Sequence, residues 1–235
     1  MPRQLKANKS RLAFANALFS AVPEFRPTRA LYLDFEGSGA GDEGLLSLFW
    51  PWNAGPERFQ WIWKPDLHEQ MDPAQLKGVM SDLGCDARSL EWVVVFSGGK
   101  DVAEEQERFE TTFGHRALPL ARWVNLHRIV TMSTVTKRAI RDARNVWHTG
   151  EKRTRYSLEA LEYEFNIRRP PELRSHSNSY ADGRPGLMNV LTSVSAVMRE
   201  TADQLEEENL HQYCVQDVRS MFDIARASQK LLRIR

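Results

Sequence analysis

Residues 29–36 read Arg-Ala-Leu-Tyr-Leu-Asp-Phe-Glu, and no other segment constrains the chain as strongly. The apolar run predicts a buried strand, and Gly37-Ser-Gly39 predicts the turn that ends it. In a strand, side chains two residues apart share a face. Asp34 and Glu36 therefore project together from the strand end, among the apolar neighbours Leu31, Leu33 and Phe35. Two like charges side by side repel unless a proton or a cation lies between them. A divalent ion is the ordinary solution, because Mg²⁺ and Mn²⁺ prefer carboxylate oxygens and water. Taken alone, the pair also suits two surface carboxylates at a strand end.

The remaining chain supplies a setting for this strand. Residues 45–50 and 59–63 predict two more strands, separated by Pro51, Asn53, Gly55 and Pro56, a pattern that suits an antiparallel hairpin or meander. Asp72-Pro73 opens a helix to about Leu83, with Gly84 past its end. Residues 91–96 predict another strand, and Ser97-Gly98-Gly99 leads into a helix from Asp101 to Phe113. The segment 123–130 suits a short strand or a helix start equally. Helices are predicted over 5–21, from Ser157 to Phe165, over 186–199 and over 208–232, with a loop at 175–183. An early meander, a strand–helix alternation and a helical tail predict an α/β fold: a mixed β-sheet flanked by helices, with a C-terminal helix. The 235 residues suit a single domain, with a helical extension over 1–28 and a helical and loop insertion over 137–187.

Composition excludes several classes. Cys85 and Cys214 stand far apart without a CxxC partner, so neither a disulfide framework nor a zinc knuckle is indicated. Each fits a small buried residue in a reducing compartment. No apolar run is long enough to span a bilayer. The stretch 12–22 follows Lys9 and Arg11 in the manner of a signal peptide, but Asn16 interrupts it and Pro23-Glu24 ends it. An amphipathic helix and a cytoplasmic protein are the expectation, with no membrane partner. The formal charge is +1, yet the basic residues are unevenly placed.

Two further carboxylates stand out. In the helical segment 210–222, Tyr213 and Asp217 are four apart and share a face. Asp217 lies near the buried side marked by Val215, Val218, Met221 and Phe222, where a lone carboxylate is costly; taken alone, the pair is better explained as a boundary Asp and a half-buried core Tyr. Asp101 begins a helix after an apolar strand. Asp is a preferred helix cap there. It also sits at the carboxyl end of a sheet strand, where ligand sites of α/β sheets gather.

The combination and order of these pieces carry more than any one of them. Tyr32-Leu-Asp-Phe-Glu-Gly-Ser-Gly39 resembles the first motif of the DEDD exonucleases, a branch of the ribonuclease H-like superfamily. Val93-Val-Val-Phe-Ser-Gly-Gly-Lys-Asp101 stands where their second motif belongs, and Tyr213-Cys-Val-Gln-Asp217 resembles the third motif of the tyrosine subtype. Between them, residues 156–168 resemble the Ser-Leu-x-x-Leu-x-x-x-hydrophobic-Gly-Ile helix that the superfamily often carries, and 123–130 the segment before it. The resemblance covers roughly residues 30–230 and is nearest to the RecB-associated and uncharacterised bacterial nucleases. In the second motif, Lys100 replaces a usual aromatic and Ser97 a frequent Asn, with Glu104 and Glu105 as neighbouring carboxylates; Asn125 stands where that subgroup often has Asp.

This resemblance implies a metal-dependent 3′→5′ exonuclease acting on single-stranded or 3′-ended DNA or RNA. Two Mg²⁺ or Mn²⁺ ions are implied, held by Asp34, Glu36, Asp217 and Asp101, with Tyr213 orienting the water nucleophile. Lys137, Arg138, Arg141 and Arg144 at helical spacing, then Lys152, Arg153 and Arg155, form a basic patch suited to phosphates without reading sequence. Arg168-Arg169 extend it. A solvated helix face is the plainer interpretation of the same patch. The altered second motif supports an alternative, a catalytically weak or inactive nuclease-like subunit that binds nucleic acid.

Overall fold

The computed structural model describes residues 2–37, 44–51, 58–64, 73–85, 89–96, 118, 121–138, 158–170, 173 and 204–233. The first strand, β1 (Ala30–Gly37), lies between β2 (Gly44–Trp50) and β4 (Trp92–Val95). β3 (Arg58–Lys64) and β5 (Arg122–Asn125) complete a five-stranded sheet in the order β3-β2-β1-β4-β5. β1, β2 and β3 are antiparallel neighbours, as the meander predicts, while β1, β4 and β5 run parallel. The molecule is thus a mixed sheet flanked by helices, of the α/β class.

A strand in the middle of a sheet with layers on both sides must be apolar on both faces. Residues 30–33 of β1 are completely buried. Leu31 and Leu33 join Leu46, Leu48, Val93 and Val95 on one face, beneath Met80 of α2 (Pro73–Asp82) and Leu83 just past its end. Ala30 and Tyr32 join Phe49 and Val94 on the other face. This second core is the larger, and it is closed by α1 (Pro2–Ala21), α3 (Leu126–Met132), α4 (Leu158–Phe165) and α5 (Gln204–Arg233). The Tyr32 hydroxyl donates to the Pro27 carbonyl at 2.9 Å, so its polar end is satisfied inside the core.

Local chemistry sets the element ends. The segment 123–130 is both strand and helix: the Asn125 side chain accepts from the His127 N–H at 3.0 Å and caps α3 where β5 stops. Gly84 ends α2 with a φ of 64°. Asn166 ends α4 in the same left-handed region, at φ 57°, and Ile167 N–H bonds back to the Glu162 carbonyl at 2.9 Å. Asn166 occupies the position where the resembled helix carries glycine, and asparagine is the next most tolerant residue of that conformation.

The apolar spacing of Leu12, Ala15, Leu18 and Phe19 predicts one side of α1 as its buried face; the structure buries Phe14, Ala15 and Leu18 and leaves Leu12 and Phe19 half-buried, so that face is turned slightly. α4 lies within the segment read as an insertion, yet it packs Leu158, Leu161 and Phe165 into the main core. Among the described residues, no helix is long and apolar enough to cross a membrane. The helices predicted over 101–113 and 186–199, and the loop at 175–183, lie outside the described residues.

Phe222 packs α5 on the sheet, its ring centre lying 5.7 Å from that of Tyr32 and 5.5 Å from that of Phe49, both edge to face. Phe222→Ala is expected to cost about 3–5 kcal/mol, read from the urea midpoint with the slope unchanged.

Candidate metal centre

Period-two geometry carries Asp34 and Glu36 onto the same face as Tyr32. Asp34 stands opposite the buried Ser47 of β2 and Glu36 opposite Leu45. On the other side the pairing of β1 with β4 ends at Tyr32–Val94. Both carboxylates therefore lie at the carboxyl end of a parallel pair, past its last rung, where an α/β sheet opens a cleft.

α5 supplies the third acid. Tyr213 and Asp217 lie one turn apart on the helix and both are buried. Asp34, Glu36 and Asp217 each place an oxygen within 4.8 Å of those of the other two. Residues 181 positions apart in sequence thus form one cluster of hard oxygen donors, half-buried on β1 and buried on α5. That donor set suits a Mg²⁺- or Mn²⁺-like ion and is poorly suited to a soft metal.

The electrostatics follow from burial and crowding. Burial pushes the Asp217 carboxyl up to about 6, against the pull of Arg169 and with a further push from Glu162. Burial raises the Tyr213 hydroxyl well above its ordinary range, and Asp217, Glu36 and Asp34 raise it further. Tyr213 is therefore a protonated donor near neutral pH and not a base. Burial and the Glu36 carboxylate likewise keep Cys214 a protonated thiol.

Sequence reasoning missed two members of this site. The sequence places Arg169 with Arg168 on the basic patch. Arg168 is exposed, but Arg169 is 5% exposed and points inward. Its Nε and Nη2 donate to the two oxygens of Glu162, each at 2.8 Å, and Nη2 also donates to Asp217 Oδ1. Nη1 donates to the Leu173 carbonyl at 3.1 Å, and the guanidinium lies 5.2 Å from the Tyr213 ring centre. The reversal has a local cause: the left-handed Asn166 folds the chain back over the end of α4, which brings Arg169 onto Glu162. A signal existed in the sequence. Glu162 shares the apolar face of α4 with Leu158, Leu161 and Phe165, and a buried carboxylate there demands a cation. Burial alone would lower the Arg169 guanidinium, but Asp217 and Glu162 together hold it well above its usual value.

Asp101, Arg141, Arg144, Lys152, Arg153 and Arg155 lie outside the described residues. Lys137 and Arg138 lie on a helical turn at 134–138 just beyond α3, half-buried and exposed respectively. A groove of about 1020 Å³ is lined by Arg26, Arg122, Arg226, Lys230 and Arg233 among others, but it sits beside Trp92, at the opposite end of the parallel strands from Asp34 and Glu36. It shares no residue with the acidic cluster. Comparison with protein-family models, curated proteins and solved structures finds no match to this chain.

Asp217 makes the metal-free protein sensitive to pH. Its folded value of about 6 lies above the ordinary 3.8, so its favourable contribution is complete below pH 4 and is lost as pH rises through 6. Without divalent ions, Asp217→Asn is expected to match the wild-type melting temperature near pH 4. At pH 8 it is expected to exceed it, by roughly 2–4 °C for each kcal/mol relieved. A thermal melt in EDTA across this range checks the crossover.

Proposed function

We propose that this protein is a metal-dependent 3′→5′ exonuclease of the ribonuclease H-like type, with nucleic acid as substrate and nucleoside 5′-monophosphates as products. One observation carries this reading: the first-motif acids on β1 and the third-motif acid on α5 converge within 4.8 Å. The motif order implied that meeting, and neither an isolated surface Asp-x-Glu nor an isolated boundary Asp would require it. The mixed sheet flanked by helices also supports it, since it is the architecture that the resemblance implies.

In this reading Asp34, Glu36 and Asp217 hold the cation, with Asp101 as the proposed fourth carboxylate. Bound divalent ions supply Lewis acidity, easing deprotonation of a water nucleophile and offsetting charge on the leaving 3′-oxygen. The protein's own groups do the positioning. The protonated Tyr213 donates a hydrogen bond that orients the water. Lys137, Arg138, Arg141, Arg144, Lys152, Arg153 and Arg155 neutralise backbone phosphates without selecting sequence.

Single strands labelled at the 3′ or the 5′ end, incubated with Mg²⁺, Mn²⁺ or EDTA, provide the test. Stepwise release of mononucleotides from the 3′ end is expected, with none in EDTA. Asp34→Ala is expected to slow it by more than the roughly 10–100-fold typical of losing a group that only supports a ligand. Tight strand binding without cleavage in any metal would instead identify a nuclease-like binding subunit.

A further inference from the structure

We infer that Arg169 is the positioning residue of the metal centre: it holds Asp217 of α5 in register with Asp34 and Glu36 of β1, and so sets the affinity for a divalent, oxygen-seeking cation. This inference rests on the metal-dependent reading above.

The arrangement is specific. A guanidinium is planar, and its donors form a fixed fork. One edge of Arg169 is engaged by both oxygens of Glu162 at 2.8 Å. With Glu162 anchored on α4, the donor that reaches Asp217 has no freedom to follow a moving carboxylate. Gln216 reinforces the anchor, lying 3.4 Å from Glu162 and donating to Ser220 at 2.9 Å on α5. The Leu173 carbonyl fixes the remaining edge at 3.1 Å. At 5% exposure, Arg169 is too enclosed to meet a substrate phosphate directly. It acts through Asp217.

A carboxylate facing two others tends to turn away from them. Arg169 opposes that by binding one oxygen, and a carboxylate has a second oxygen to offer a cation. Partners that orient a ligand in this way typically contribute 10–100-fold in metal affinity. A lysine at 169 would keep the charge but lose the fork, because an ammonium is a point charge on a flexible stem.

Positioning and simple charge neutralisation predict opposite signs. If Arg169 only offset negative charge, removing it would leave a more acidic site and strengthen cation binding. If it positions Asp217, removal weakens binding. Arg169→Met alone leaves Glu162 buried without its cation and puts folding at risk. Glu162→Gln with Arg169→Met removes one charge of each sign and keeps the cluster's net charge, so it isolates geometry.

Calorimetric titration with MnCl₂ is the experiment, on wild type, Arg169→Lys and the double variant, each first shown by melting to be folded. The double variant is expected to bind Mn²⁺ about 10–100-fold more weakly, and Arg169→Lys to fall between it and wild type. In strand cleavage by Arg169→Lys, the Mn²⁺ concentration for half-maximal rate should rise while saturating Mn²⁺ restores kcat, a rescue that general structural damage would not show. A folded double variant that binds Mn²⁺ as tightly as wild type, or tighter, overturns the inference. Wild type that binds Mn²⁺ but cleaves no strand overturns the exonuclease reading alone. Wild type that binds no Mn²⁺ overturns both.

Discussion

Successive side chains of a strand point to opposite faces, so a strand at the centre of a layered sheet must be satisfied twice over. β1 meets this demand along its first half with Ala30, Leu31, Tyr32 and Leu33, all fully buried, and abandons it at Asp34 and Glu36. Everything else is arranged around that change. Helix α2 covers the Leu31 and Leu33 face. The larger helical layer covers the Tyr32 face, and α5 runs across it past the point where the apolar residues give way to acids. The site exists because one strand is apolar where it is covered and acidic where its parallel neighbour stops.

The packing that builds the fold also creates an electrostatic problem. Seating α5 on Tyr32 and Phe49 through Phe222 brings Asp217 down beside Asp34 and Glu36. Burial and like charge both oppose ionisation there, and one internal guanidinium offsets part of the cost. Arg169 is itself buried, and its burial is offset because Glu162, Asp217 and the Leu173 carbonyl accept its hydrogen bonds. In the metal-dependent reading proposed above, a cation held by this cluster would link the stability of the region to ligand binding.

Much of the architecture was legible in the sequence because its signals are local. The alternation around Asp34 and Glu36, the Pro and Gly bounding α2, and the apolar stripe of α5 each depend on a few adjacent residues. The strand-or-helix ambiguity at 123–130 arose because the segment changes type within it, at Asn125. For the site, Asp34 and Glu36 were readable as a pair from strand parity, and Asp217 from its place on a buried helix face.

What the sequence determined by itself was therefore chemistry and local direction: which faces are apolar, which acids share a face, and which turn tolerates a left-handed residue. What only the tertiary structure decided was partnership across distance. Arg169 looked like one more solvated arginine because a charge reads the same from sequence whether it faces water or the core. Its role follows from a chain reversal at Asn166 and from the seating of α5 against α4, which bring Glu162, Arg169 and Asp217 together. The Glu162–Arg169 contact has a local origin, but the meeting with Asp217 depends on how α5 packs against α4, which no local pattern of residues encodes.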